Sequence, residues 1–161
     1  MASRPVARNN RPCWFDDHDG NVKAAAGPLS VLLIGDSIVE GLERYNSIWT
    51  RYFGPLGTLN FGIGGDRIQN VLWRIEHGEV PLNLKIAVLH CGTNNLCRNT
   101  PAEMCGGIAA IVKSLLSKKS NISVIVAGLL PRGSGDLPFP SYRDKIIDVN
   151  NRLSRWCQGM G

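Results

Sequence analysis

Two hydrophobic rhythms alternate along the chain. Residues 30–35 (SVLLIG), 57–62 (GTLNFG), 85–92 (KIAVLHCG) and 121–131 (NISVIVAGLLP) are short apolar runs rich in β-formers and punctuated by Gly or Pro. Such runs read as buried strands. Between them the apolar positions fall at helical spacing. Ile38, Leu42, Tyr45 and Trp49 predict a helix over 37–53, and Ile68, Val71, Leu72 and Ile75 predict one over 66–78. In the second, Asp66 is the expected N-cap and Gly78 the expected C′ residue. Thr100, Pro101 and Glu103 form a capping box with proline at N1, where its missing N–H does no harm. Ile108, Ile111, Val112, Leu115 and Leu116 then share one helical face. A polar Gly/Pro loop is expected over 132–140. Tyr142, Ile146, Val149, Leu153 and Trp156 mark a last helix over 141–157.

Successive β-α units argue for an α/β fold, a parallel sheet with helices on both faces. Ligands in such sheets sit beyond the carboxyl ends of the strands. Three strand-end loops are therefore the places to search: GDS (35–37), NFGIGGD (60–66) and CGTNN (91–95). Residues 1–28 lack periodicity and read as an arm with at most local structure, ahead of a domain over 29–161.

Composition narrows the class. The 161 residues are 43% hydrophobic and 19% charged, the profile of one globular domain with a real core. The net charge of +5 comes from scattered Lys and Arg, and Lys118–Lys119 is the tightest pair, so no nucleic-acid stripe is indicated. Five cysteines without a C-x-x-C suggest reduced thiols rather than a disulfide framework or a zinc site. No apolar stretch is long enough to span a membrane. Arg4, Arg8 and Arg11 precede the first acid, Asp16, without an apolar h-region. That pattern argues against a secretory signal and for a flexible arm over a mitochondrial address. A dinucleotide reading of FGIGGDR fails, because the G-x-G-x-x-G pattern needs glycine where Arg67 stands and should follow the first strand. No P-loop pattern is present.

Acyl transfer to water needs a nucleophile and donors aimed at the developing oxyanion. Ser37, at a strand-to-helix junction, is either a helix cap or that nucleophile. A backbone N–H in the 62–65 glycine loop can approach a ligand closely. Asn94 offers a side-chain amide. One such element stands at each successive strand end.

The blocks IGDS, NFGIGGDRIQNVLWRIEHGE, GTNN and GLLPRG resemble the SGNH (GDSL-type) hydrolases, within them the branch of the platelet-activating-factor acetylhydrolase type Ib α subunits. The resemblance runs over about 29–156. It implies a flavodoxin-like three-layer α/β/α sandwich and hydrolysis of a short acyl ester, acetyl foremost, on a small or phospholipid-like substrate. No metal or organic cofactor is implied. By the same resemblance Ser37 is the nucleophile, and Ser37, Gly65 and Asn94 form the oxyanion hole. A cytoplasmic homodimer and a WD40-repeat regulatory subunit are implied as partners.

The family's fourth block, an Asp-x-x-His, does not occur in these residues, nor does the fifth strand that precedes it. Without that base, a triad loses on the order of 10⁶ in kcat and keeps about 10³–10⁴ over water. The expectation is an impaired esterase, with a non-catalytic binding or scaffold protein as the alternative. Of the three histidines, His18 reads as a polar turn or as a base brought by a folded-over arm. His77 reads as structural in a last helical turn, and His90 as a ring buried beside the sheet or a base near Asn94. The fourth strand becomes a sheet edge, expected to pair with another chain, to be covered by the arm or to limit solubility.

Overall fold

A computed structural model describes residues 1–133 and 142–160. Four strands, β1 (Val31–Gly35), β2 (Thr58–Gly62), β3 (Ile86–His90) and β4 (Ser123–Val126), form one parallel sheet in the order β2-β1-β3-β4. The register sets Gly35 beside Gly62 on one side and His90 on the other. The three strands that lead into the candidate loops therefore end level with one another.

Strand alternation divides the core. Leu32, Ile34, Ala87, Leu89, Val124 and Val126 face helices α4 (Ile68–Glu76), α5 (Pro101–Lys118) and α6 (Arg143–Gln158) and join their apolar faces in one cluster. The opposite face carries Leu33 and Val88 beneath Val39, Leu42 and Phe53. Toward β4 that face opens, and Ile125 is 52% exposed. This is the expected α/β/α layering, with the second outer layer confined to the β1–β3 side.

Several elements depart from their expected form. Residues 37–53 do not form one helix. They break into α2 (Ser37–Glu40), a 3₁₀ turn (Gly41–Arg44), α3 (Asn46–Ile48) and a π turn (Trp49–Phe53). Gly41 favours continuation weakly, and Tyr45 sits at φ −91°, ψ 66°, outside the helical region. Only Val39 of these turns is buried, so no continuous face rewards a longer helix.

Residues 14–25 form α1 (Trp14–Ala25), although the arm shows no apolar periodicity. Its inward positions are Trp14, His18 and Ala25, and only the first of these is a conspicuous hydrophobe. Trp14 is fully buried and donates from Nε1 to Asp66 Oδ1 at 2.7 Å. The residues before it are held as well, with Val6 N–H donating to Gln69 O at 3.0 Å and Ala2 packed on Gly107. The segment thus lies along α4 and α5 rather than along β4.

Asp66 is not the N-cap of α4. The helix starts at Ile68, whose N–H donates to Asn95 Oδ1 at 3.0 Å, so the loop after β3 caps it from a distance. At its other end Gly78 has φ 111° and ends the helix as expected. In α5 the capping box holds, with Glu103 N–H to Thr100 Oγ1 at 3.3 Å and Thr100 N–H to Glu103 Oε2 at 3.0 Å.

β4 is shorter than the apolar run 121–131. Past Ala127 the chain meets Asn150 of α6, which accepts from Leu129 N–H at 2.8 Å and donates to Leu129 O at 3.0 Å. One side-chain amide thereby satisfies the backbone that would otherwise extend the open edge. The loop expected over 132–140 lies outside the described residues beyond Gly133.

Close strand packing fixes Gly35. A Cβ there would stand 1.9 Å from His90 O and 2.7 Å from Val39 Cγ2. Gly35→Ala is expected to destabilise the fold by about 1–3 kcal/mol through overpacking, read as a lower urea midpoint at unchanged slope.

Candidate active site

Asp36, not Ser37, caps α2. Its Oδ1 accepts from Ile38 N–H at 3.0 Å, and this leaves Ser37 exposed as the first helical residue. Burial raises the Asp36 carboxyl above its usual range, against the opposing pull of the Ile38 N–H. No acceptor among the described residues takes the N–H of Ser37.

Beyond β2 the chain turns through Gly64 and Gly65. Gly65 has φ 79°, a left-handed conformation that favours glycine. Its N–H also has no acceptor among the described residues. Beyond β3, Gly92 at φ 127° leads into a 3₁₀ turn (Thr93–Asn95). Asn94 donates from Nδ2 to Asp66 O at 2.8 Å, which orients the amide and leaves its second N–H for a ligand. Gly65 and Asn94 line one cleft of about 350 Å³. Ser37 stands at the end of the central strand between them but is not part of that cleft's lining.

The loops are fixed from below by one arginine. Arg74 of α4 is fully buried, and donates to Asp66 Oδ2, Phe61 O and Gly35 O, each at 2.9 Å, and to Glu79. It thus joins the ends of β1 and β2 to the glycine loop. Burial pushes the Asp66 carboxyl up, and the Arg74 guanidinium opposes that shift.

None of the three histidines hydrogen-bonds Ser37. His18 is buried rather than in a solvated turn, its Nδ1 2.8 Å from Glu79 Oε1 and its ring 5.0 Å from that of Trp73. His77 Nδ1 lies 2.7 Å from Trp73 O, and its ring stacks on Trp73 with centroids 3.7 Å apart, a structural role. His90 is buried at the end of β3 beside an apolar cleft of about 240 Å³, and both ring nitrogens lack a partner among the described residues.

Sequence reasoning missed the arginines around the Gly65–Asn94 cleft. Arg8, Arg67, Arg98 and Arg132 all line it. They are spread from residue 8 to residue 132, so no local charge run announces them. Arg74, Asp66 and Glu79 were equally hidden, since a charged residue on a surface helix ordinarily faces water.

Residues 33–161 match the GDSL-like Lipase/Acylhydrolase family. The chain is 44% identical over 124 residues to platelet-activating factor acetylhydrolase IB subunit alpha2 of Rattus norvegicus, covering 76% of this chain and 52% of that one. Its counterpart in Gallus gallus is 45% identical over 142 residues, covering 87% and 60%. The chain therefore spans about half the length of the curated relatives it matches. Among solved structures, a GDSL-like lipase from Bacteroides thetaiotaomicron shares the fold with a TM-score of 0.73 at 23% identity, over 90% of this chain and 73% of the other. On this evidence the chain belongs to the GDSL-like lipase/acylhydrolase family, a class of esterase-type enzymes.

Proposed function

We propose that this chain carries a serine-esterase site for acetyl or other short acyl esters. Ser37 is the nucleophile, and the N–H groups of Ser37 and Gly65 with the amide of Asn94 form the oxyanion hole. The observation that supports the reading is the level ending of β2, β1 and β3, the strands that lead into the loops carrying these three residues, together with the N–H groups of Ser37 and Gly65 that have no acceptor among the described residues. In the first half-reaction Ser37 Oγ bonds to the acyl carbon and its proton passes to water. The carbonyl electrons move to the oxyanion, then return as the bond to the leaving alkoxide breaks. Water hydrolyses the acyl-serine in the second half-reaction.

No histidine among the described residues hydrogen-bonds Ser37, so these residues alone give slow turnover. Relatives named as acetylhydrolase subunits support an acetyl ester, and a phospholipid-like one, as substrate. The word subunit in that name supports assembly with other chains. We place a homodimer first and a WD40-repeat regulatory subunit second, in the cytoplasm.

A second reading, an ester- or anion-binding protein without turnover, is supported by the same observation, that no histidine among the described residues hydrogen-bonds Ser37. Incubation with p-nitrophenyl acetate followed by peptide mass spectrometry separates the two. Acetylation of Ser37, absent in Ser37→Ala, together with release of p-nitrophenol above the buffer rate, supports the esterase. An unmodified Ser37 and equal rates in both proteins support binding alone. His90→Ala asks whether His90 supplies a base, and a matching loss of rate there would name it.

A further inference from the structure

The glycine loop after β2 is a β-turn. Asp66 N–H donates to Ile63 O at 3.1 Å across Gly64 and Gly65, and Gly65 has φ 79°. A φ of about +80° at the third position belongs to a type II turn. A type I turn differs mainly by a half-rotation of the central peptide, which here is Gly64–Gly65. Two glycines put no Cβ in the way of either form. The residues of the turn therefore leave the direction of the Gly65 N–H open.

Two arginines close that choice. Arg8 Nη1 and Arg11 Nη1 each donate to Gly64 O at 2.7 Å. A carbonyl oxygen has two lone pairs, one for each guanidinium. In a trans peptide the C=O and the following N–H point opposite ways. Fixing Gly64 O thus fixes the Gly65 N–H. The arginines are themselves held from both sides. Before them, Val6 N–H donates to Gln69 O at 3.0 Å and Val6 O accepts from Asn70 Nδ2 at 2.9 Å. After them, Trp14 Nε1 donates to Asp66 Oδ1 at 2.7 Å. Asp66 lies 3.8 Å from Arg8, and Asp17 and Glu40 lie 3.2 Å and 3.9 Å from Arg11, so carboxylates offset the repulsion of two cations on one oxygen.

We propose that Arg8 and Arg11 are positioning residues for the oxyanion hole. They hold the Gly64–Gly65 peptide in its type II orientation and so present the Gly65 N–H to the reacting ester. Charge-assisted bonds on the carbonyl also polarise that peptide, which strengthens its N–H as a donor. The inference rests on the esterase reading for the reaction served, and on the turn alone for the hold.

Two readouts on one set of variants test it: hydrolysis of p-nitrophenyl acetate, and the amide resonance of Gly65 in the ¹⁵N-labelled chain. The Arg8→Met/Arg11→Met double variant should lose about 10²-fold in kcat with KM nearly unchanged, the lower end for losing one oxyanion donor. Its Gly65 resonance should shift and broaden as the freed peptide exchanges between two orientations, while that of Gly128, beyond β4, stays in place. Arg8→Lys/Arg11→Lys keeps a cationic donor on each stem and should recover about tenfold of the lost rate. Arg155→Met, at the exposed end of α6, removes a charge without touching the turn and should change neither readout. The inference is overturned by a wild-type kcat in a double methionine variant that melts like wild type. It is equally overturned by a fall in kcat with the Gly65 resonance unmoved, since the arginines would then act elsewhere. Should the double variant unfold, Arg11→Met alone decides by the same two readouts. Equal hydrolysis by wild type and Ser37→Ala, with the Gly65 resonance still moving in the double variant, overturns the esterase and leaves the hold on the turn standing.

Discussion

Arg74→Met is expected to cost about 3–5 kcal/mol of stability at pH 7, the range for removing one partner from a buried ion cluster. The size follows from what is left behind. Asp66 and Glu79 are both fully buried, and each would lose the Arg74 guanidinium that bonds it directly. The carbonyls of Gly35 and Phe61 would lose their donor as well. Trp14 Nε1 and the more distant Arg8, 3.8 Å away, would remain beside Asp66, and His18 beside Glu79. In a domain of this size the loss lowers Tm by roughly 6–20 °C.

The pH dependence has a definite sign. In wild type, Arg74 holds the Asp66 carboxyl down against burial, which raises it. Without Arg74 the folded-state value rises further above the unfolded one. A raised carboxyl destabilises the fold fully above its folded pKa, and that cost is relieved as pH falls through the folded value toward the unfolded one. The stability gap between wild type and Arg74→Met should therefore narrow from pH 7 to pH 5 in urea titrations. A gap that is constant across that range would mean that lost packing, not the stranded carboxylates, sets the cost.

This cluster also marks the limit of what the sequence discloses. The strands, the start of α5 and the glycine that ends α4 were legible because each depends on local order: apolar runs, a Thr-Pro-x-Glu spacing, one positive φ. The three site loops were legible because the strand pattern places them at one sheet edge. The breaks at Gly41 and Tyr45 were not, since the spacing of Ile38, Leu42 and Trp49 suits a helix and only the lack of anything to bury against α3 undoes it. Helix α1 was hidden for the converse reason. It buries one tryptophan, one histidine and one alanine, and its stability comes from Asp66, Glu79 and Trp73, more than 40 residues away. Asp66 looked like a cap because its type and position suit one, and the competing demand of Trp14 and Arg74 leaves no trace in its own neighbourhood.

The oxyanion hole yields the second large expectation. Asn94→Ala should lower kcat for p-nitrophenyl acetate by about 10²–10³, the usual cost of losing one such donor, with KM nearly unchanged. The ground-state carbonyl is a weak acceptor and the tetrahedral oxyanion a strong one, so the amide acts mainly on the transition state. It is also held ready, because Asp66 O already fixes one of its two N–H groups at 2.8 Å. This prediction does not depend on a base. A site that keeps only its oxyanion hole retains about 10³–10⁴ over water, and Asn94→Ala should remove most of that. Asn94→Asp sharpens the test, since it keeps the side-chain shape while replacing the donor with an anion, and it should be at least as slow as Asn94→Ala. If both variants hydrolyse the ester at the wild-type rate while melting like wild type, the oxyanion does not form at Asn94, and the catalytic reading of the cleft fails with it.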